Sequence, residues 1–75
     1  MPEEKQYDPA VMAHRVKWMR EGRRLSLREL EERTGIGDSY LSQLERGKIK
    51  KPGVFTLLKL AEFYHVKIEW LAGQS

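Results

Sequence analysis

The chain has 75 residues, no cysteine, 33% charged residues and a formal net charge of +3. That length supports one small domain, and the absence of thiols excludes disulfides and thiolate metal sites, so a cytoplasmic setting is expected. No apolar run approaches a membrane span, and residues 1–9 lack the basic-then-apolar layout of an export signal.

Residues 1–8 are expected to form a flexible tail ahead of a domain over 9–73. Asp8-Pro9 opens a first helix, with Asp as the cap and Pro at the first helical position. Met12, Val16 and Met19 fall on one face of it, and it should end near Gly22. Ser26 with Glu29 is an S-x-x-E capping signal for a second helix over 27–34, stopped by Gly35. Ile36 starts a new apolar series through Tyr40, Leu41 and Leu44, which places a third helix over 38–46, closed by Gly47. After a loop over 48–53, a fourth helix runs over 54–64 or 55–64, with Val54, Leu57, Leu58, Ala61 and Tyr64 as its expected buried set. A last short helix over 69–72 stops at Gly73. Five helices with short connections and no strand signal make an all-α domain.

A helix, a tight glycine turn and a second helix is the layout of a DNA-binding helix-turn-helix. In the third helix Asp38, Ser39, Ser42, Gln43 and Arg46 point away from the leucines and form a short, hydrogen-bonding face suited to base edges. Arg46, Lys48, Lys50 and Lys51 follow with no acid among them and read as a phosphate clamp. Upstream, Arg15, Lys17, Arg20, Arg23, Arg24 and Arg28 face the single acid Glu21; of these Arg28 is the better phosphate candidate, and Arg15, Arg23 and Arg24 are weaker ones. His14 and His65 lie in separate helices with no cysteine or glycine-rich loop to join them. An enzyme, a metal site or a cofactor is therefore not expected.

Arg20 placed five residues before Leu25-Ser26, the run LSLREL, the turn TGIG, then SYLSQLERGK, KKP, TLLKLAEFYHV and IEWLAG carry a clear resemblance. Over roughly 12–73 the chain resembles the lambda-repressor-like DNA-binding domains of the Cro and xenobiotic-response-element type. The resemblance implies a compact five-helix fold in a bacterial or phage transcription regulator, either a repressor or a small controller-type activator. Its recognition helix over 38–46 would enter the major groove of double-stranded DNA. By the same resemblance Arg20 pairs with Glu45 and ties the first helix to the third. Ser26 and Leu27 meet a phosphate at the amino end of the second helix, with Arg28 beside them and the Tyr40 hydroxyl as a further phosphate contact. Base reading falls to Asp38, Ser39 and Gln43, with Ser42 at the margin; the Gln43 amide suits adenine N6 and N7 together.

Several positions depart from that family pattern. Leu27 replaces a polar residue, and Glu31 stands where alanine is usual and should bend outward. Gly37 and Gly53 replace capping serine or threonine, and His65 replaces a glycine. Trp18 and Phe55 fall on outward faces. Related short regulators dimerise through the fourth and last helices, which implies a homodimer built on Phe55, Phe63 and Trp70. Its operator would be a palindrome with half-sites roughly 10 bp apart. The alternative is an antitoxin or adaptor that acts mainly through a protein partner.

Overall fold

Local capping decides where each helix begins. In this computed structural model, which describes residues 6–74, Asp8 Oδ1 accepts from the Ala10 amide at 2.9 Å and starts α1 (Pro9–Gly22). Ser26 and Glu29 form the reciprocal box that starts α2 (Leu27–Thr34): the Glu29 amide donates to Ser26 Oγ, and the Ser26 amide donates to Glu29 Oε1, each at 3.0 Å. α3 (Asp38–Glu45) and α4 (Val54–Tyr64) follow glycines, Gly37 and Gly53, that provide no side-chain cap. α5 spans Ile68–Leu71, one residue ahead of the expected 69–72, because Lys67 is already the extended cap and its carbonyl accepts from the Leu71 amide at 3.1 Å.

Every helix sends at least one side chain to a common core. Val16, Leu30, Leu41, Leu44, Leu60 and Leu71 have no exposed surface, and Tyr64 has 1%. On α4 the buried set is Leu57, Leu60, Ala61 and Tyr64, an i, i+3, i+4, i+7 stripe. This corrects the expected set: Leu60 belongs to it, whereas Val54 and Leu58 lie outside the stripe and are exposed. Met19 is half-buried at the core's edge rather than within it.

The two ends of the domain meet. Tyr7 pairs with Gln74 as an isolated antiparallel bridge, and the Asp8 amide donates to the Gly73 carbonyl at 3.1 Å. Of the tail expected over 1–8, residues 1–5 lie outside the described residues, while Tyr7 and Asp8 are part of the fold. Gly73 has φ +93°, and any Cβ there would collide with the Asp8 carbonyl, so this junction requires glycine. Arg15 fastens the same corner. Its guanidinium donates to the Trp70 and Gln74 carbonyls at 2.6 and 3.1 Å and lies over the Trp70 ring, 4.7 Å from the centroid. Arg23 does the same for the end of α4, donating to the Tyr64 carbonyl at 3.1 Å and covering the Tyr64 ring. Arg15 and Arg23, the weaker phosphate candidates, thus donate to backbone carbonyls and cover aromatic faces within the fold. Among the described residues no helix is long and apolar enough to cross a membrane.

Candidate nucleic-acid interface

The turn between α2 and α3 is stitched by three residues. The Thr34 hydroxyl donates to the Leu30 carbonyl at 2.8 Å and accepts from the Ile36 amide at 3.2 Å. Gly35 adopts the left-handed conformation, φ 76°, that ends α2, and its amide donates to the Glu31 carbonyl at 2.7 Å. Ile36 then drops into the core at 8% exposure and aims the chain into α3. Glu31 was expected to bend outward from a close helix contact. It is half-buried, and its Oε1 accepts from the Asp38 amide at 2.6 Å, supplying the cap that Gly37 lacks.

With Leu41 and Leu44 fully buried, α3 presents its opposite side to solvent. Ser39, Gln43 and Arg46, at i, i+4 and i+7, are all exposed and form one strip; Asp38 and Ser42 are half-buried at its flanks. Tyr40 is half-buried against the core. The helix is braced from behind by a two-pronged ion pair: Arg20 Nε and Nη2 donate to the two Glu45 carboxylate oxygens at 2.7 and 2.9 Å. Arg20 Nη1 also donates to the Leu25 carbonyl at 2.7 Å, so one guanidinium joins α1, α3 and the segment before α2. The side chains are 14% and 5% exposed, and the Glu45 hydrogen bond raises the Arg20 pKa above its ordinary value.

Cations follow the carboxyl end of this surface. Gly47, φ 75°, closes α3, and the Lys48 amide donates to the Gln43 carbonyl at 2.9 Å. Ile49 packs against the core while Lys48, Lys50 and Lys51 remain exposed, so the loop is anchored by its one apolar residue and turns its amines to solvent. Arg46 is exposed, with Nε 3.4 Å from the Ser42 carbonyl. At the start of α2 the capping box occupies the Ser26 and Glu29 amides. The Leu27 and Arg28 amides have no intrahelical acceptor and are the donors available to an anion there. The Glu29 carboxyl is held below its usual range, chiefly by the Ser26 amide and then by the Ser26 hydroxyl.

Nothing in the sequence pattern announces the Thr34 clasp, and Glu31 stands out there only as a departure from alanine. A signal for Glu31 existed, since glycine at a cap leaves an amide without a partner and an acid stands seven residues earlier. Among the described residues no group of three or more His, Asp or Glu could hold a metal ion.

Comparison with known proteins returns the same arrangement. A helix-turn-helix family model matches residues 16–71. An uncharacterised HTH-type transcriptional regulator of Mycobacterium tuberculosis is 39% identical over 56 residues, 75% of this chain but 39% of the relative's length. Among solved structures, the biofilm master regulator SinR in complex with DNA superposes with a TM-score of 0.74 at 33% identity, covering 80% of this chain and 95% of that one. The restriction-modification controller protein C.AhdI of Aeromonas hydrophila gives a TM-score of 0.75 at 26% identity, covering 85% of this chain and 96% of that one.

Proposed function

The chain belongs to the Cro/C1-type helix-turn-helix family of DNA-binding transcription regulators, and from that premise we propose that it reads a specific double-stranded DNA site in the cytoplasm as a homodimer. The observation that carries this reading is the exposed Ser39–Gln43–Arg46 strip on a helix braced by Arg20 and Glu45 and followed by three exposed lysines. Ser39 and Gln43 sit where base edges are met, with Asp38 and Ser42 beside them. Arg46, Lys48, Lys50 and Lys51 take phosphates on one side, and Ser26, Leu27 and Arg28 take them on the other, Ser26 through its hydroxyl and the other two through the helix-end amides that the capping box leaves free. Tyr40 offers its hydroxyl at the margin.

Dimerisation is supported by apolar surface on α4. Phe55 is 77% exposed, and Val54 and Leu58 are exposed beside it. Phe63 and Trp70 add only half-buried edges, because Phe63 packs its ring against Tyr64 and Trp70 lies beneath Arg15. The proposed interface is therefore centred on Phe55, with Phe63 and Trp70 at its border.

Selection from a random duplex library at near-physiological salt tests the reading. It should enrich a palindrome with half-site centres roughly 10 bp apart; no enrichment from folded protein would overturn it. On the enriched site Gln43→Ala should cost about 1–3 kcal/mol while binding to random DNA stays unchanged. An equal loss on random DNA would remove Gln43 from base reading.

A further inference from the structure

We propose that Glu31 is a positioning residue for base reading: from α2 its carboxylate caps the recognition helix and fixes the first turn, with Asp38 and Ser39, against the DNA. This rests on the DNA-reading assignment above.

The need for such a residue follows from the local chain. α3 has eight residues, and its cap residue Gly37 offers no side-chain acceptor. A short helix begun this way leaves its first amides without partners and frays at its amino end. Glu31 Oε1 meets the Asp38 amide at 2.6 Å, a charge-assisted bond placed at the positive end of the helix dipole. The same residue also ends the preceding helix, since its carbonyl accepts from the Gly35 amide at 2.7 Å. Glu31 therefore grips both sides of the turn, its carbonyl closing α2 and its carboxylate opening α3. Because donor and acceptor belong to different helices, the bond sets their separation as well as the integrity of the first turn. A Cβ at position 37 would lie 4.0 Å from Glu31 Oε1, ordinary contact distance, so a side-chain cap can be introduced there without displacing the carboxylate.

The consequence for DNA is selective. Side-chain contacts to base edges depend on close alignment, and Asp38 and Ser39 stand in the turn that Glu31 holds. Lys48, Lys50 and Lys51 lie past the far end of α3, on a loop secured independently by Gly47 and Ile49. Their flexible amines follow phosphates through small shifts of the helix. Loosening the first turn should thus reduce discrimination between sequences and leave sequence-independent affinity in place.

The test compares wild type, Glu31→Ala, Glu31→Gln, Gly37→Ser and the double variant Glu31→Ala/Gly37→Ser. For each, affinity is measured on the duplex selected from the random library and on a scrambled duplex, and exchange of the Asp38 amide is followed without DNA. Glu31→Ala should lose about three- to thirty-fold on the selected duplex, the equivalent of a lost cap, and less than about two-fold on the scrambled one. Its Asp38 amide should exchange faster by a similar factor. Glu31→Gln, which keeps an acceptor oxygen, should retain selectivity, and the double variant should regain it, because serine at the cap replaces the missing acceptor. Unchanged selectivity in Glu31→Ala would overturn the proposal, as would equal losses on both duplexes or failure of both rescues. Should Glu31→Ala not fold, Glu31→Gln and the double variant still decide: selectivity absent from either refutes the role. A wild type that binds every duplex alike would instead refute the parent reading, an outcome distinct from a selective wild type indifferent to Glu31.

Discussion

At the end of the recognition helix the Glu45 side chain is 5% exposed, and Arg20 is the cation that faces it. Removing the arginine strands a buried carboxylate, a loss larger than the net worth of the pair itself. Arg20→Met should therefore destabilise the domain by about 3–5 kcal/mol, a large share of the roughly 5–15 kcal/mol typical of a folded domain. Urea unfolding of Arg20→Met and of Arg20→Met/Glu45→Leu measures this, and the double variant should recover most of the loss. A cost under about 1 kcal/mol for the single change would show that the pair is not a brace. Tyr64, packed next to this pair, illustrates the opposite case. Its hydroxyl is buried with no partner among the described residues, and its pKa is pushed up to about 12, first by burial and then by the Glu45 charge. Since the folded value lies above the unfolded value of 10.0, this group's contribution is intact below pH 10 and lost as pH rises towards 12. Tyr64→Phe removes an unsatisfied polar atom, so it should be neutral or stabilising by up to about 1 kcal/mol. It should also extend stability on the alkaline side in a thermal-unfolding series; a clear loss of stability would mean that the hydroxyl does have a partner.

Individual elements owe their limits to caps that differ in chemistry, and this makes one of them sensitive to acid. The α2 box depends on an ionised Glu29, whose pKa is lowered by the Ser26 amide and hydroxyl. A folded value below the unfolded one means that the contribution is complete above the ordinary glutamate range and lost as pH falls through the folded value. Glu29→Gln keeps an acceptor for the Ser26 amide but cannot titrate. The acid limb of its stability curve should therefore be flatter than that of wild type, with the variant the less stable of the two near neutral pH and the curves converging in acid. Parallel acid limbs would dismiss the box as a pH-dependent element. Caps also explain which elements were legible in the sequence. Asp8-Pro9, Ser26 with Glu29, and Gly35, Gly47 and Gly73 announce helix limits through side chains or φ values that act within a few residues, and the observed helices obey them. The buried face of α4 is ambiguous in the sequence, since 54–57–58–61–64 and 57–60–61–64 both follow helical spacing, and packing against the other helices selects the second. The roles of Arg15 and Arg23 were illegible for another reason. Their acceptors lie 55 to 59 and 41 positions away in sequence, and a backbone carbonyl leaves no trace in residue type.

Across the whole molecule the two proposed surfaces are joined by very little chain. The loop over 48–53 carries Lys48, Lys50 and Lys51 and leads directly into Val54 and Phe55, so the proposed phosphate clamp and the proposed dimer face lie on consecutive segments. A short connection secured by Ile49 cannot absorb much movement. In a dimer formed through α4, the distance between the two recognition helices would follow from how the Phe55 faces meet, and a symmetric pair demands a palindromic site. Phe55→Glu tests this chain of dependence. The side chain is 77% exposed in the isolated domain, so folding stability should change by no more than about 0.5 kcal/mol. Burying two carboxylates across a two-fold axis is unfavourable, and sedimentation equilibrium should show a monomer. The monomer should bind a single half-site as wild type does, while its affinity for the full palindrome falls to the half-site value. Fewer phosphates would be neutralised per binding event, and the slope of log affinity against log salt should drop to about half. A variant that still sediments as a dimer, or that loses half-site and palindrome affinity together, would move the interface away from Phe55.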